Sequence, residues 1–214
     1  MSASSIARAG HDDNVVGALT FALADRIGDA TAAAAGLSGV PAAALVALHE
    51  WASGKPLQSL AHGLRLSHSR TVRVIDRLEA EGLAARRPDP RDGRSVHVGL
   101  TPAGELVARR VLVARAEVLQ DALAPLAPDD REALARLAEQ VLEGFITGRR
   151  HAAATCRMCD AHACGHYEGR CPVTRGADRA GERAARSPAA SSAPQSGGGR
   201  TLSPSSSQTS ASRS

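Results

Sequence analysis

Apolar residues in the first third of the chain recur at helical spacing. After polar residues that offer Asp12, Asp13 and Asn14 as caps, Val16, Leu19, Leu23 and Ile27 mark one face of a helix over about 14–34. Pro41 opens a second, alanine-rich helix carrying Trp51, and Gly54 followed by Lys55 and Pro56 closes it near Ser53. Leu57, Leu60, Ala61 and Leu64 then follow the i, i+3, i+4, i+7 pattern of a short amphipathic helix that breaks at Arg65-Leu66-Ser67. Ser67 caps a further helix with Val72, Ile75 and Leu78 on one face and Ser69, Arg70, Arg73 and Arg77 elsewhere, stopped by Gly82. Two short helices joined by a three-residue turn form a helix-turn-helix pattern.

The period then changes to two. Residues 83–87 read as a strand, residues 88–93 as a turn, and Val96, Val98 and Leu100 alternate with His97 and Gly99, which predicts a two-stranded wing. Thr101-Pro102 begins a long helix with two apolar stripes, one through Val107, Val111 and Val118 and the other through Leu112, Leu119 and Leu123. Asp129-Asp130 opens another, faced by Leu134, Leu137, Val141, Leu142 and Phe145. Apolar surface this wide calls for burial against a second chain.

Composition supports a mainly α protein: of 214 residues 43% are hydrophobic, alanine is abundant, and only Phe21, Trp51, Phe145 and Tyr167 are aromatic. No apolar run approaches the roughly 18 residues of a membrane span and no secretory signal opens the chain, so the expected location is cytoplasmic and no membrane partner is expected. Residues 55–110 carry 11 basic and 6 acidic side chains, a surplus of five that sits between two acidic flanks. A central segment facing a polyanion is implied.

The continuous run from Pro56 to Gly104, PLQSLAHGLRLSHSRTVRVIDRLEAEGLAARRPDPRDGRSVHVGLTPAG, resembles the signature of the MarR family of bacterial winged helix-turn-helix transcription regulators. Asp92-x-Arg94 in the wing and Leu100-Thr101-Pro102-Ala103-Gly104 after it carry the closest likeness, which covers residues 14–149. The resemblance implies a homodimer built by long helices, double-stranded DNA with a palindromic operator as partner, repression as the usual outcome, and release by a small-molecule effector or a redox signal.

A helix in the major groove reads bases with its N-terminal residues, which here are His68, Ser69, Arg70 and Arg73. Arg70 or Arg73 has the bidentate geometry for guanine, while Arg77 and Lys55 suit phosphates. At the wing tip Arg91 and Arg94 suit the minor groove, and the resemblance gives Arg94 that role with Asp92 in support. Residues 14–149 offer no nucleophile with its base, no phosphate loop and no open metal site, which excludes an enzyme. Trp51 reads as core sooner than as the wall of a ligand cleft.

Beyond Arg150 the character changes. All four cysteines lie within 156–171, spaced Cys156-x2-Cys159-x4-Cys164-x6-Cys171 with His162 and His166 interspersed. One C-x2-C step suits a tetrahedral ion, so zinc is the favoured cofactor, with His162 and His166 as substitute ligands. A thiol switch aided by Arg157 and Arg170, an iron-sulfur site suggested by Cys171-Pro172, and an extension without a ligand are the alternatives. The competing function is a metal-binding or redox-buffering module that uses the winged domain as a dimer scaffold. Residues 187–214, with 11 serines and a triple glycine, read as a disordered tail.

Overall fold

A computed structural model describes residues 10–37, 39–88 and 96–186. The wing-tip residues Arg91, Asp92 and Arg94 and the tail 187–214 lie outside the described residues. In order along the chain, the elements are helices α1 (His11–Ala35), α2 (Val40–Ala47), α3 (Leu57–Leu64) and α4 (His68–Ala80), strands β1 (Ala84–Pro88) and β2 (Val96–Leu100), then helices α5 (Pro102–Leu123), α6 (Pro128–Phe145), α7 (Arg149–Thr155) and α8 (Pro172–Arg186). No single helix among them is long and apolar enough to cross a membrane.

Helix α1 starts three residues before the sequence pattern suggests. The carboxylate of Asp13 reaches back to the Gly10 amide at 3.2 Å, so Gly10 is the cap and Asp12 and Asp13 fall in the first turn, where they oppose the helix dipole. Helix α2 runs on through a π-turn, Leu48–Ala52, which loosens its last turn and carries His49, Glu50 and Trp51.

The core lies between α2, α4, the sheet and α5. Leu45, Leu48, Ile75, Leu78 and Val111 are fully buried. Each removes a whole aliphatic side chain from water, worth about 1.5–3 kcal/mol. On α4 the buried set is Thr71, Ile75 and Leu78, whereas the sequence pattern placed Val72 on that face. Val72 is half-buried, and Thr71 takes the innermost place because its hydroxyl is satisfied within the helix, donating to the Ser67 carbonyl at 3.0 Å.

The wing's base is antiparallel with Ala84 opposite Leu100 and Pro88 opposite Val96. Its junction with α5 accounts physically for the run Leu100 to Gly104. The Thr101 hydroxyl caps α5 by accepting from the Gly104 amide at 3.1 Å and donates to the Gly82 carbonyl at 2.7 Å. Pro102 supplies the preset first-turn conformation, and Gly104 lies against the Leu83 carbonyl, which a Cβ there would approach to 1.9 Å.

The cysteine segment is not a loose appendage. Helix α7 packs on α3, and α8 packs on α6 and α7. Gly176 brings α8 down onto α6, where a Cβ would lie 2.8 Å from the Glu143 carbonyl, and Arg175 reaches Glu139 and Glu143 at 3.3 and 3.4 Å. No apolar stripe in the sequence marks α8, because its buried face is Val173, Gly176, Ala177 and Ala180, mostly small residues.

Candidate functional site

Helix α4 presents its whole outer face to solvent. Ser67 caps it, its hydroxyl accepting from the Arg70 amide at 3.4 Å, so the first turn is fixed and its leading residues project at the helix N-terminus. His68, Ser69, Arg70, Arg73 and Arg77 are all exposed. The structure therefore gathers these five on one surface, as the sequence predicts. Among the described residues Arg70, Arg73 and Arg77 pair with no carboxylate. Arg70 stands in the first turn of α4, Arg73 midway and Arg77 in the last turn, so three uncompensated guanidinium groups run along the exposed face and make a surface suited to an anion.

Arg86 has the opposite fate. It is tied to Asp76 at 2.7 Å and to Glu79, which also accepts the Arg86 amide at 2.8 Å. Two carboxylates of α4 are thus spent on β1, fixing the wing's base to the helix beside it and leaving the arginines of α4 unopposed. The neighbouring Arg87 is exposed. Arg65, in the turn between α3 and α4, has φ 56° and ψ 41°, a left-handed conformation that permits the sharp break between these helices. Sequence reasoning singled out neither Arg87 nor the conformation of Arg65, because an arginine carries no signal of either.

A second site lies on the far side of α3. Cys156, Cys159, Cys164 and Cys171 all line one cavity of about 490 Å³, together with Glu50 and Trp51 from the end of α2. All four are free thiols, and Cys171 is buried. His166 lines the cavity, its Nδ1 2.9 Å from the Thr174 hydroxyl. His162 is placed elsewhere, exposed and 4.8 Å from the Tyr167 ring.

The thiols stand as two pairs. Cys156 hydrogen bonds to Cys159, and this together with burial pushes the Cys156 thiol far up. The same bond, helped by Arg115 and Arg157, brings Cys159 down to about 7 against burial and Glu50. Burial, then Cys171, pushes Cys164 up to about 11. Among the described residues no three His, Cys, Asp or Glu side chains already stand at the spacing of an ion-binding group.

Two residues tie this cavity to the helix-turn-helix. Glu50 accepts the Ala161 amide at 2.9 Å. Trp51 crosses α3 at Gly63, where a Cβ would come within 2.5 Å of its ring, and Lys55 lies 5.7 Å from the ring centre. Trp51 is half-buried, packing against the edge of the main core as expected and lining the cavity as well. The signal available in the sequence was Glu50, a carboxylate on an otherwise apolar helix that needs a partner.

Comparison with known proteins bears on the first of these surfaces. A family model described as the MarR family matches residues 42–96, from α2 to the start of β2. Over 78 residues the chain is 33% identical to the uncharacterized HTH-type transcriptional regulator YkoM of Bacillus subtilis, covering 36% of this chain and 51% of that one. The chain spans about half the length of the curated relatives it matches. Among solved structures, RV1404 from Mycobacterium tuberculosis superposes with a TM-score of 0.56 at 24% identity, covering 66% of this chain and 99% of that one. The YusO protein from Bacillus subtilis gives 0.52 at 19%, covering 62% and 97%. These two are likenesses of fold. The cysteine segment lies beyond residues 42–96, which the family model matches.

Proposed function

Given that this chain is a MarR-family protein across its winged helix-turn-helix, we propose that it is a transcription regulator, not an enzyme, that binds double-stranded DNA in a sequence-dependent manner. The observation that carries this reading is the outer face of α4: His68, Ser69, Arg70, Arg73 and Arg77 exposed together, with the three arginines unpaired among the described residues. A helix of this kind fits the major groove, where an arginine makes two hydrogen bonds to guanine. Arg91 and Arg94, supported by Asp92, are assigned the adjacent minor groove in the same proposal.

The chain acts as a homodimer on a palindromic operator. Helix α6 buries no residue within its own chain, and Val141 and Phe145 are 57% and 65% exposed. On α1 Phe21 is 75% exposed. Helix α8 covers the side of α6 that carries Glu139 and Glu143, which leaves the stripe Leu134, Leu137, Val141 and Phe145 for a second copy. Repression in the cytoplasm, relieved by a small effector, completes the proposal. The metal-buffering alternative is not favoured, because it gives the exposed arginines of α4 no task.

The test is binding to duplexes selected from a genomic pool, measured against a random duplex at rising salt. A regulator shows a steep fall of affinity with salt and a sequence-dependent excess of about 10³-fold or more. Equal affinity for selected and random duplexes overturns the reading.

A further inference from the structure

The geometry points to the cavity walled by Cys156, Cys159, Cys164 and Cys171 as the seat of one soft divalent cation of the zinc class, held by four thiolates.

The chain has four cysteines, and three separate pieces of backbone bring all of them to the same cavity. Cys156 and Cys159 flank the turn that ends α7, Cys164 sits in the loop beyond it, and Cys171 immediately precedes α8. Packing alone does not call for this convergence: Cys171 lies in a small core with Ile146, Val173 and Ala177, while Cys156 and Cys164 are only partly covered at its edge. The loop is built to reverse, with Gly165 and Gly169 at φ 69° and 70°, where other residues are strained.

The donor set selects the ion. Thiolate sulfur prefers zinc-class cations to magnesium or calcium, which need oxygen. The carboxylate that lines the cavity, Glu50, already accepts the Ala161 amide. Four thiolates around a divalent ion leave a charge of minus two, and Arg115 and Arg157, which act on Cys159, lie near enough to offset it.

Before loading, the site is four free thiols that line one cavity. On loading, each ligating thiol loses its proton to solvent and a metal–sulfur bond replaces it, with no change of oxidation state. Drawing the four thiols together joins the end of α7 to the start of α8 and, through Ala161 and Glu50, to the end of α2. This inference is independent of DNA binding, and its test contains no DNA.

The full chain is purified reduced and without oxygen, freed of metal, and titrated with cobalt(II), then zinc(II). The proposal expects one cobalt per chain with the intense visible bands of a tetrahedral site and sulfur-to-metal charge transfer, displaced by zinc. Zinc should raise the Tm and protect all four thiols from a thiol reagent. Cys159→Ser and Cys171→Ser should each cost more than the roughly 10–100-fold in affinity that loss of an outer partner costs. Far-UV circular dichroism checks that the variants are folded; Cys159→Ser, at a less buried position, decides the matter if Cys171→Ser is not. The proposal is overturned by absent or octahedral cobalt spectra, by four thiols equally reactive with and without zinc, by a native iron-sulfur chromophore, or by a folded Cys159→Ser that binds cobalt as tightly as the parent.

Discussion

Glu50 and Ala161 are 111 residues apart in sequence, yet the Glu50 carboxylate accepts the Ala161 amide at 2.9 Å. This bond joins the π-turn at the end of α2 to the loop that carries Cys164. The Glu50 side chain is 6% exposed, so its charge is held largely out of water and depends on its partners. Glu50→Ala removes a charge-assisted bond worth about 1.5–3 kcal/mol. Hydrogen exchange at the Ala161 amide should accelerate by about 10- to 100-fold. The amides of α5 serve as an internal control and should not change. Unaltered protection at Ala161 would show that the loop is held by other contacts.

Arg73 and Arg86 are both arginines of the winged module, but their surroundings separate them. Arg73 is exposed and unpaired among the described residues, whereas Arg86 is bound to Asp76 and Glu79. Arg73→Ala should leave the urea midpoint within about 0.5 kcal/mol of the parent and cost about 1–3 kcal/mol of affinity for a selected duplex. Arg77→Ala should weaken all duplexes alike and lower the salt slope by about one. Arg86→Ala should do the reverse of Arg73→Ala, loosening the wing's base while sparing base preference. The pair of measurements, denaturation and binding on the same preparations, decides the assignment; equal specificity of Arg73→Ala and the parent removes Arg73 from the reading surface.

Much of this arrangement is legible in the sequence, because strong local rules act there. Leu57 to Leu64 repeat at a clean helical period and the helix has those bounds; Ser67 is the cap that its position before a periodic run suggests, and the long helix begins at Thr101-Pro102 as the sequence indicates. Where the sequence pattern fails, a longer-range cause overrides it. Helix α8 is held by Gly176 and small alanines whose value lies in how closely α6 can approach, a property with no hydropathy signature. Trp51 also lines the cysteine cavity because Gly63 leaves room on α3, and nothing within either helix records that meeting. The spacing of the four cysteines suggested a shared site, and the cavity brings them together, but the same spacing could not separate His166, which lines it, from His162, which does not.

Gly104 tests the junction between wing and α5. A Cβ there would stand 1.9 Å from the Leu83 carbonyl oxygen and 2.9 Å from its carbon, both backbone atoms that no rotamer change can move aside. Helix propensity alone favours alanine over glycine by about 1 kcal/mol. The clash dominates, so Gly104→Ala should lower stability by about 1–3 kcal/mol, read from the urea midpoint. A stabilised Gly104→Ala would mean that the two segments are further apart than the structure places them.

Helix α6 provides the sharpest test of assembly. Leu137 and Val141 are 52% and 57% exposed, lie one turn apart on the stripe that ends at Phe145, and meet nothing within the chain that covers them. An apolar stripe of this length costs free energy in water and gains it back only against another surface. Because Leu137 and Val141 contribute little to the folded monomer, replacing both with glutamate should leave helix content unchanged by circular dichroism. It should instead shift the mass measured by sedimentation from two chains to one, since a buried unpaired carboxylate on each side of a two-fold contact is strongly unfavourable. DNA affinity should then fall to that of a single module, with the palindrome no better than its half-site. A double variant that sediments as two chains would place the interface elsewhere, on the apolar face of α1 around Phe21.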